Sequence, residues 1–232
     1  FAPVLGVMRV DTLEEAIEVV NEVDYGLTSG LHTLDTEELA LWLEGIEAGN
    51  LYVNRGITGA IVRRQPFGGW KRSAIGSTTK AGGPSYLLGL GEVQAAPEGA
   101  AAPEAAHSTP TLAPRVRALC DAVRDQLSAA ELAELRRAVA ADASAWESDY
   151  GANRDVTGMA CERNILRYRA TPVLLRAGDG TALADVARVL AAGLLAGGPI
   201  GVSVAQGLPA PLMSVLLAAG VEVSVEDARA WE

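Results

Sequence analysis

Residues 172–225 have the sequence PVLLRAGDGTALADVARVLAAGLLAGGPIGVSVAQGLPAPLMSVLLAAGVEVSV. Short apolar runs alternate here with longer stretches that carry apolar residues at helical spacing. Strands joined by crossover helices form a parallel sheet, so we expect a right-handed βαβαβ unit. Such a sheet is smaller than a complete doubly wound domain, which indicates truncation. The predicted elements are strands at residues 172–176, 200–205 and 221–225 and helices at 183–195 and 211–219.

Two helices are predicted ahead of this unit. Residues 115–127 and 129–145 are rich in alanine, leucine and arginine, and Ser128 with Glu131 forms a capping box where the second helix starts. The next residues, 148–171, are polar, irregular and rich in arginine. We expect their arginines to pair with acidic side chains of the same segment and to anchor it. Those acidic residues are Asp149, Asp155 and Glu162.

The beginning of the sequence also alternates between strands and helices. Its periodicity is weaker than in the βαβαβ unit, but capping residues mark the helix starts. The predicted elements are a strand at residues 4–10, a helix opened by a capping box at 12–15, a strand at 29–34, a helix that starts at Asp35 and is stopped by Gly49 and Asn50, and a strand at 51–53.

Composition excludes several classes of protein. Of the 232 residues, 49% are hydrophobic, which is enough to bury a core. The 19 basic and 29 acidic residues give a net charge of −10, which argues against nucleic acid as a partner. No run of about 18 apolar residues predicts a transmembrane helix. Two cysteines are too few for a disulfide scaffold, and His32 and His107 are too distant in sequence to predict a metal site.

The ends of the chain lie inside apparent structure. The sequence starts with Phe1-Ala2-Pro3-Val4, without a signal peptide, and it stops directly after an apolar run. We therefore expect a fragment of a longer polypeptide.

Residues 54–83, NRGITGAIVRRQPFGGWKRSAIGSTTKAGG, follow no regular period and are dense in glycine. A stretch of this length inside an α/β region is typical of a functional loop. Consecutive backbone amides at Gly59 and Ala60 suit an anion such as a carboxylate, and Phe67 suits the aliphatic part of a ligand. The alternative is a loop packed for structural reasons, and the residues alone leave both interpretations open.

Four motifs, in order along residues 1–94, resemble aldehyde dehydrogenases. They are Phe1-Ala2-Pro3-Val4, similar to the end of E-x-F-G-P-V with alanine in place of glycine, Tyr25-Gly26-Leu27-Thr28-Ser29-Gly30, Asn50-Leu51-Tyr52-Val53-Asn54, and Pro66-Phe67-Gly68-Gly69-Trp70-Lys71-Arg72-Ser73. Residues 55–67 and 80–88 are most similar to the Δ1-pyrroline-5-carboxylate dehydrogenase group.

The resemblance implies an activity. Enzymes of this group oxidise L-glutamate γ-semialdehyde to glutamate with NAD, through a cysteine thiolate and a thioester that water hydrolyses. The amides of Gly59 and Ala60 would hold the α-carboxylate of this small-molecule substrate, and Phe67 would line its methylenes. Phe1 would contact the nicotinamide end of NAD.

The catalytic residues of the family have no counterpart in this sequence. Its nucleophilic cysteine and general-base glutamate precede the E-x-F-G-P-V motif, so we expect them upstream of this chain and the chain alone to be inactive. We interpret Cys120 and Cys161 as structural or incidental thiols.

Residues 95–232 resemble the additional C-terminal domain of long proline utilization A proteins, which join a proline dehydrogenase to this dehydrogenase. That domain is a degenerate aldehyde-dehydrogenase-like nucleotide-binding fold. Because Gly178-Asp179-Gly180 is a poor substitute for G-x-G-x-x-G, we expect a structural or tunnel-covering role for it here.

The predicted fold class is α/β, with a partial aldehyde dehydrogenase catalytic domain followed by a linker, helices and a partial Rossmann-like βαβαβ unit. Twelve of the residues 95–114 are alanine or proline, as in linkers. The predicted segments are 1–94, the C-terminal part of the catalytic domain; 95–114, the linker; 115–147, helical; and 148–232, a truncated aldehyde-dehydrogenase-like domain.

Together these patterns predict a fragment of an NAD-dependent L-glutamate γ-semialdehyde dehydrogenase of proline catabolism. It supplies the substrate loop but not the nucleophile. FAD belongs to a proline dehydrogenase domain upstream, if the protein is bifunctional. We expect the intact protein to be a homo-oligomer in the bacterial cytoplasm, peripheral at the membrane if bifunctional. Two alternatives stay open: a non-catalytic structural or oligomerisation module of this family, and an aldehyde dehydrogenase of other specificity.

Overall fold

The computed structural model describes residues 3–61, 64–75, 80–92, 94 and 111–231. The chain divides into two compact units, and each consists of two stretches of sequence. The first unit comprises residues 1–97 and 155–166, and the second comprises residues 98–154 and 167–232. Residues 155–166, which lie in the last of the four predicted segments, therefore group with the first unit. The four segments themselves stay a prediction.

The described residues confirm the predicted α/β class. The helices are α1 (Leu13–Asn21), α2 (Thr36–Gly45), α3 (Pro114–Val123), α4 (Ala129–Ala145), α5 (Leu183–Ala196), α6 (Ala210–Ala218) and α7 (Ala228–Trp231). The strands are β1 (Tyr25–Gly26), β2 (Thr28–Leu31), β3 (Asn50–Val53), β4 (Trp70–Lys71), β5 (Arg154–Asp155), β6 (Ile165–Leu166), β7 (Val173–Ala177), β8 (Ile200–Val204) and β9 (Glu222–Val225). Short 3₁₀ turns lie at Tyr86–Leu90 and Arg124–Gln126, and a π-helical turn lies at Trp146–Tyr150.

The described residues of the first unit form small sheets and two α-helices. Strands β2 and β3 pair in parallel, starting from Thr28 opposite Asn50. Strands β1 and β4 pair antiparallel. Buried residues of α1 and of the α2 region form the core, and partly buried side chains of β2 and β3 pack against them. The buried members are Ile17, Trp42 and Ile46, and the partly buried ones are Leu13, Leu31, Leu39, Leu43, Leu51 and Val53.

Side-chain caps start both helices of the first unit. The Thr12 hydroxyl accepts from the Glu15 amide at 3.1 Å, as predicted. The Glu15 carboxylate accepts from the amide of Asp11 at 3.0 Å and not from that of Thr12, so the capping box is displaced by one residue. At α2, the Asp35 carboxylate accepts from the amides of the second and third residues that follow it. These bonds satisfy amides that a helix start leaves without partners.

The predicted strand at residues 4–10 is wrong. These residues have no regular structure, and none of the sheets formed by the described residues includes them. Val4, Leu5 and Val7 are 85%, 86% and 86% exposed. A strand forms only where a neighbouring strand accepts its backbone hydrogen bonds, and an apolar sequence does not provide that neighbour.

The second unit contains the predicted βαβαβ arrangement. Strands β7, β8 and β9 lie side by side in that order and pair in parallel, with α5 and α6 as the connections. Each element lies within about two residues of its predicted bounds. The predicted capping box at α4 is confirmed, since the Ser128 hydroxyl accepts from the Glu131 amide and the Glu131 carboxylate accepts from the Ser128 amide.

The core of the second unit lies between the sheet and the helices. Its fully buried side chains come from α3, α4, α5 and α6, and those of β8 face them. They include Val116, Leu119, Val123, Leu135, Val139, Leu190, Val202, Val204, Leu212 and Leu216. Helix α6 shows the two faces clearly, because Leu212 and Leu216 are 0% exposed and Leu217 is 64% exposed.

We expect Leu212→Ala to lower the free energy of unfolding by about 2–5 kcal/mol, because it removes buried methyl groups and leaves a cavity. Leu217→Ala, on the exposed face of the same helix, is the matched control and should change it by less than about 0.5 kcal/mol. Urea titration of the full chain, followed by circular dichroism, measures both. Equal effects of the two substitutions would contradict the described core.

Candidate functional site

The loop that follows β3 is the candidate site. We call residues 54–61 the glycine loop and residues 66–69 the Phe67 turn. Residues 62–63 and 76–79 of the predicted functional stretch lie outside the described residues. The glycine loop is exposed throughout, whereas the Phe67 turn is half-buried to buried. The two segments therefore have different surroundings, although one stretch of sequence carries both.

Gly59 takes a backbone conformation that favours glycine. Its φ is +86°, and a Cβ placed on it would meet no atom within 4 Å. The hydroxyl of the buried Tyr52, on β3, donates to the Gly59 carbonyl at 3.0 Å. This bond fixes one side of the peptide, while the space beside the α-carbon stays open. Any other residue would introduce backbone strain here, although it would not clash with a neighbour.

The other two predicted substrate residues lie on either side of Arg64 in sequence. Ala60 is exposed and follows Gly59 in the glycine loop. Phe67 is half-buried, and its backbone exchanges two hydrogen bonds with Ala81, at 3.0 and 2.9 Å. The structure thus holds Gly59 through β3 and Phe67 through residue 81, by separate sets of contacts.

The carbonyl oxygen of Gly68 connects the Phe67 turn to the start of β3. It accepts from Asn50 Nδ2 at 3.1 Å and from Lys80 Nζ at 2.6 Å. Lys80 Nζ also donates to the Gly49 carbonyl at 2.5 Å. A Cβ on Gly49 would lie 2.0 Å from the Gly68 oxygen, so only glycine permits this approach. The side chains of Asn50 and Lys80, with the close approach at Gly49, therefore hold the Phe67 turn against the start of β3.

Lys80 is a residue of this site that the sequence does not predict. Lysine side chains are mostly exposed, and nothing in the run Lys80-Ala81-Gly82-Gly83 predicts a buried amine. The one feature of the sequence that draws attention to Lys80 is that lysine is rare in this chain, which contains only Lys71 and Lys80. Burial lowers the pKa of Lys80 from 10.5 to about 8. An ammonium has three donor hydrogens and a neutral amine keeps two, which suffices for both carbonyls in either protonation state.

One of the two cysteines, Cys120, lies in a hydrophobic core. Cys120 is 8% exposed and packs in the core of the second unit, and burial raises its pKa, with Asp121 as the next cause. A raised pKa opposes thiolate formation.

Phe1, the predicted contact with NAD, and His107 lie outside the described residues. Among the described residues, no three His, Cys, Asp or Glu side chains group as metal ligands, and no helix is long and apolar enough to span a membrane.

Residues 1–94 match the model of the aldehyde dehydrogenase family. The matched residues are the same stretch in which the four motifs lie.

Relatives extend the match beyond residue 94. The chain is 35% identical over 228 residues, 97% of its length, to the bifunctional protein PutA of Rhizobium meliloti. Over 88 residues, 38% of its length, it is 47% identical to the 1-pyrroline-5-carboxylate dehydrogenase of Staphylococcus haemolyticus. The solved structure of proline utilization A (PutA) from Corynebacterium freiburgense covers 97% of the chain, with a TM-score of 0.66 and 36% identity. The resemblance to long proline utilization A proteins is thereby confirmed.

The chain is short beside these proteins. It spans 17% of the length of each of the two curated relatives and 23% of the solved chain.

We expect Lys80 to acetylate with a half-maximal rate near pH 8, because its amine loses a proton there when the loop is folded. Competitive labelling with acetic anhydride across a range of pH, read by mass spectrometry, measures this, and Lys71 is the internal reference. Half-maximal labelling near pH 10.5 would show an amine in water and contradict the contacts with Gly49 and Gly68.

The lowered pKa of Lys80 determines how its contribution to the free energy of unfolding changes with pH. Between about pH 8 and pH 10.5 the unfolded chain binds more protons than the folded one. The contribution of Lys80 to the free energy of unfolding therefore rises with pH across this window. Lys80→Met should remove that part of the pH dependence.

Proposed function

We propose that this chain is a segment of a longer protein that oxidises L-glutamate γ-semialdehyde, the open form of pyrroline-5-carboxylate, to glutamate in proline catabolism. The observation that carries the proposal is the open glycine loop with Gly59 at positive φ, in a chain that is 47% identical over 88 residues to a 1-pyrroline-5-carboxylate dehydrogenase. The match to PutA over 97% of the chain supports a bifunctional protein that also oxidises proline.

In this proposal the glycine loop binds the charged end of the substrate. The amides of Gly59 and Ala60 donate to the α-carboxylate, which is held without any cationic side chain. The bond from Tyr52 to the Gly59 carbonyl limits rotation of that peptide, so its direction is set before the substrate arrives. The open space beside the Gly59 α-carbon lets a carboxylate approach the backbone closely.

Phe67 contacts the methylenes of the substrate. The bonds of its backbone with Ala81, and those that the Gly68 carbonyl accepts from Asn50 and Lys80, hold the backbone that carries the ring. An aromatic side chain in this position excludes water from the aliphatic part of the substrate. The charged and apolar ends are thus recognised by separate, separately supported segments.

The oxidation itself requires groups beyond these residues. We propose NAD as the hydride acceptor and a cysteine of the longer protein as the nucleophile, as in the family that residues 1–94 match. Phe1 is proposed to contact the nicotinamide, and FAD is proposed for a proline dehydrogenase part of the longer protein. We further propose that this protein is a cytoplasmic homo-oligomer, peripheral at the membrane if bifunctional.

Assay of the full-length protein tests the function. We expect NADH to form from pyrroline-5-carboxylate, and at a much lower rate from simple aliphatic aldehydes. A preference for another aldehyde would indicate a different specificity within the family. No NADH from any aldehyde would indicate a non-catalytic module and would overturn the proposal.

Gly59→Val in the full-length protein tests the binding site. We expect the KM for glutamate semialdehyde to rise about tenfold or more, because a β-branched residue disfavours positive φ and displaces amides that bind a charged group. The kcat/KM for butanal, which lacks a carboxylate, should change little.

Gly56→Ala is the matched control. Gly56 lies in the same exposed loop, a Cβ on it meets no atom within 4 Å, and its φ is not positive. It should leave both KM values within about twofold. An unchanged KM for glutamate semialdehyde in Gly59→Val would count against the carboxylate assignment.

A further inference from the structure

Two arginines flank the glycine loop, and both contact one carboxylate. Arg55 lies four residues before Gly59, and Arg64 lies four residues after Ala60. The Arg55 guanidinium is 3.1 Å from Glu162 Oε2, and the Arg64 guanidinium is 3.4 Å from Glu162 Oε1. Each oxygen of the Glu162 carboxylate thus contacts one arginine. Glu162 connects the two ends of the segment that carries Gly59 and Ala60.

This pairing differs from the sequence-based expectation. Glu162 was expected to pair with arginines of residues 148–171, and Arg154 does pair with Asp149 there. Glu162 instead pairs with arginines 107 and 98 residues earlier in the chain. Residues 155–166, which include Glu162, belong to the first unit, as do both arginines.

Internal hydrogen bonds shape residues 155–166 around Asp155. Its carboxylate accepts from the Thr157 hydroxyl at 2.7 Å and from the Thr157, Gly158 and Asn164 amides at 2.9, 3.3 and 3.1 Å. The Thr157 hydroxyl is the largest cause that lowers the pKa of Asp155 to about 2. The carboxylate is therefore charged at neutral pH, and the bonds that it accepts all come from residues 157–164.

Asn164 fixes the Glu162 side chain and makes a second contact with the loop region. Its Nδ2 donates to Glu162 Oε1 at 3.2 Å and to the Thr157 hydroxyl at 3.1 Å. Its Oδ1 accepts from Gln65 Nε2 at 3.3 Å. Glu162 and Asn164, which are hydrogen-bonded to each other, therefore contact Arg55, Arg64 and Gln65 together.

A continuous set of contacts runs from Glu162 to the proposed substrate site. The Arg55 guanidinium lies over the Tyr52 ring, 5.5 Å from its centroid. The Tyr52 hydroxyl donates to the Gly59 carbonyl. A displaced Arg55 would leave the Tyr52 ring without its cation and would free the end of the glycine loop that precedes Gly59.

We propose that Glu162 is a positioning residue for substrate binding, which holds the glycine loop in its binding conformation through Arg55 and Arg64. The inference rests on the proposed function, because the loop is taken to bind the substrate α-carboxylate. The three side chains are 26–41% exposed, and ion pairs with such exposure contribute little to overall stability. The effect of Glu162 is therefore expected in the loop and in KM, not in global unfolding.

Charge supports the same assignment. The Glu162 carboxylate lies between two guanidiniums, which carry like charges and repel each other. Without the carboxylate, these like charges lose the contact that holds both of them beside the loop. Glu162 thus keeps the arginines in their flanking positions.

Kinetics of the full-length protein test the proposal. Glu162→Gln keeps the shape of the side chain but removes its charge, and we expect the KM for glutamate semialdehyde to rise about three- to tenfold. The kcat/KM for butanal should stay within about twofold. Glu134→Gln is the matched control, because Glu134 is an exposed glutamate paired with Arg137 on α4. An unchanged KM in Glu162→Gln, or an equal rise in Glu134→Gln, would overturn the proposal.

A double substitution tests the route through Arg55. If Glu162 acts by holding Arg55, adding Glu162→Gln to Arg55→Met should raise KM by less than it does in the wild-type background. Full additivity of the two effects would overturn this route.

Hydrogen exchange separates this proposal from the proposed function, because it needs no substrate. In Glu162→Gln, amides of residues 54–61 should exchange several-fold faster, and those of α4 should be unchanged. Unchanged exchange in residues 54–61 would overturn the positioning role whatever the activity. Faster exchange together with a wild-type protein that does not oxidise glutamate semialdehyde would support the positioning of the loop and refute the substrate.

Discussion

In the first unit, the carbonyl oxygen of Gly68 is the acceptor that joins the supports of the candidate site. It receives Asn50 and Lys80, and it occupies the space that a side chain on Gly49 would need. Three segments distant in sequence are thereby brought to one point: the start of β3, the Phe67 turn and residue 80. Ala81 pairs with the backbone of Phe67, so the backbone position of Phe67 depends on the same region. These contacts limit the freedom of the backbone that carries Phe67, whereas Gly59 is held separately through Tyr52.

Local patterns determine most of the fold, and these could be predicted. Helix starts at Thr12, Asp35 and Ser128 follow from side chains that accept from nearby amides. The three strands and two helices of the βαβαβ arrangement follow from apolar periodicity, since each element buries one face in a common core. In both cases the information lies within a few residues of the element that it specifies.

Features that depend on distant partners could not be predicted. Residues 4–10 have the composition of a strand, but no strand of the described residues lies beside them. Lys80 and Glu162 have ordinary surface sequences, and their contacts with Gly68 and with Arg55 lie far along the chain. Sequence motifs indicate Gly59, Ala60 and Phe67, yet not the side chains that hold them. The candidate loop was therefore recognisable, while its supports were visible only in three dimensions.

The sequence separation of 107 residues from Arg55 to Glu162 has a consequence for the order of folding. During synthesis, the glycine loop leaves the ribosome long before its carboxylate partner exists. Helices α3 and α4 are both synthesised before residues 155–166, which are the next part of the chain to belong to the first unit. Contacts of such separation form late, after local helices and hairpins. The loop is therefore completed only after the chain has been made as far as residue 162, beyond helices α3 and α4 of the second unit.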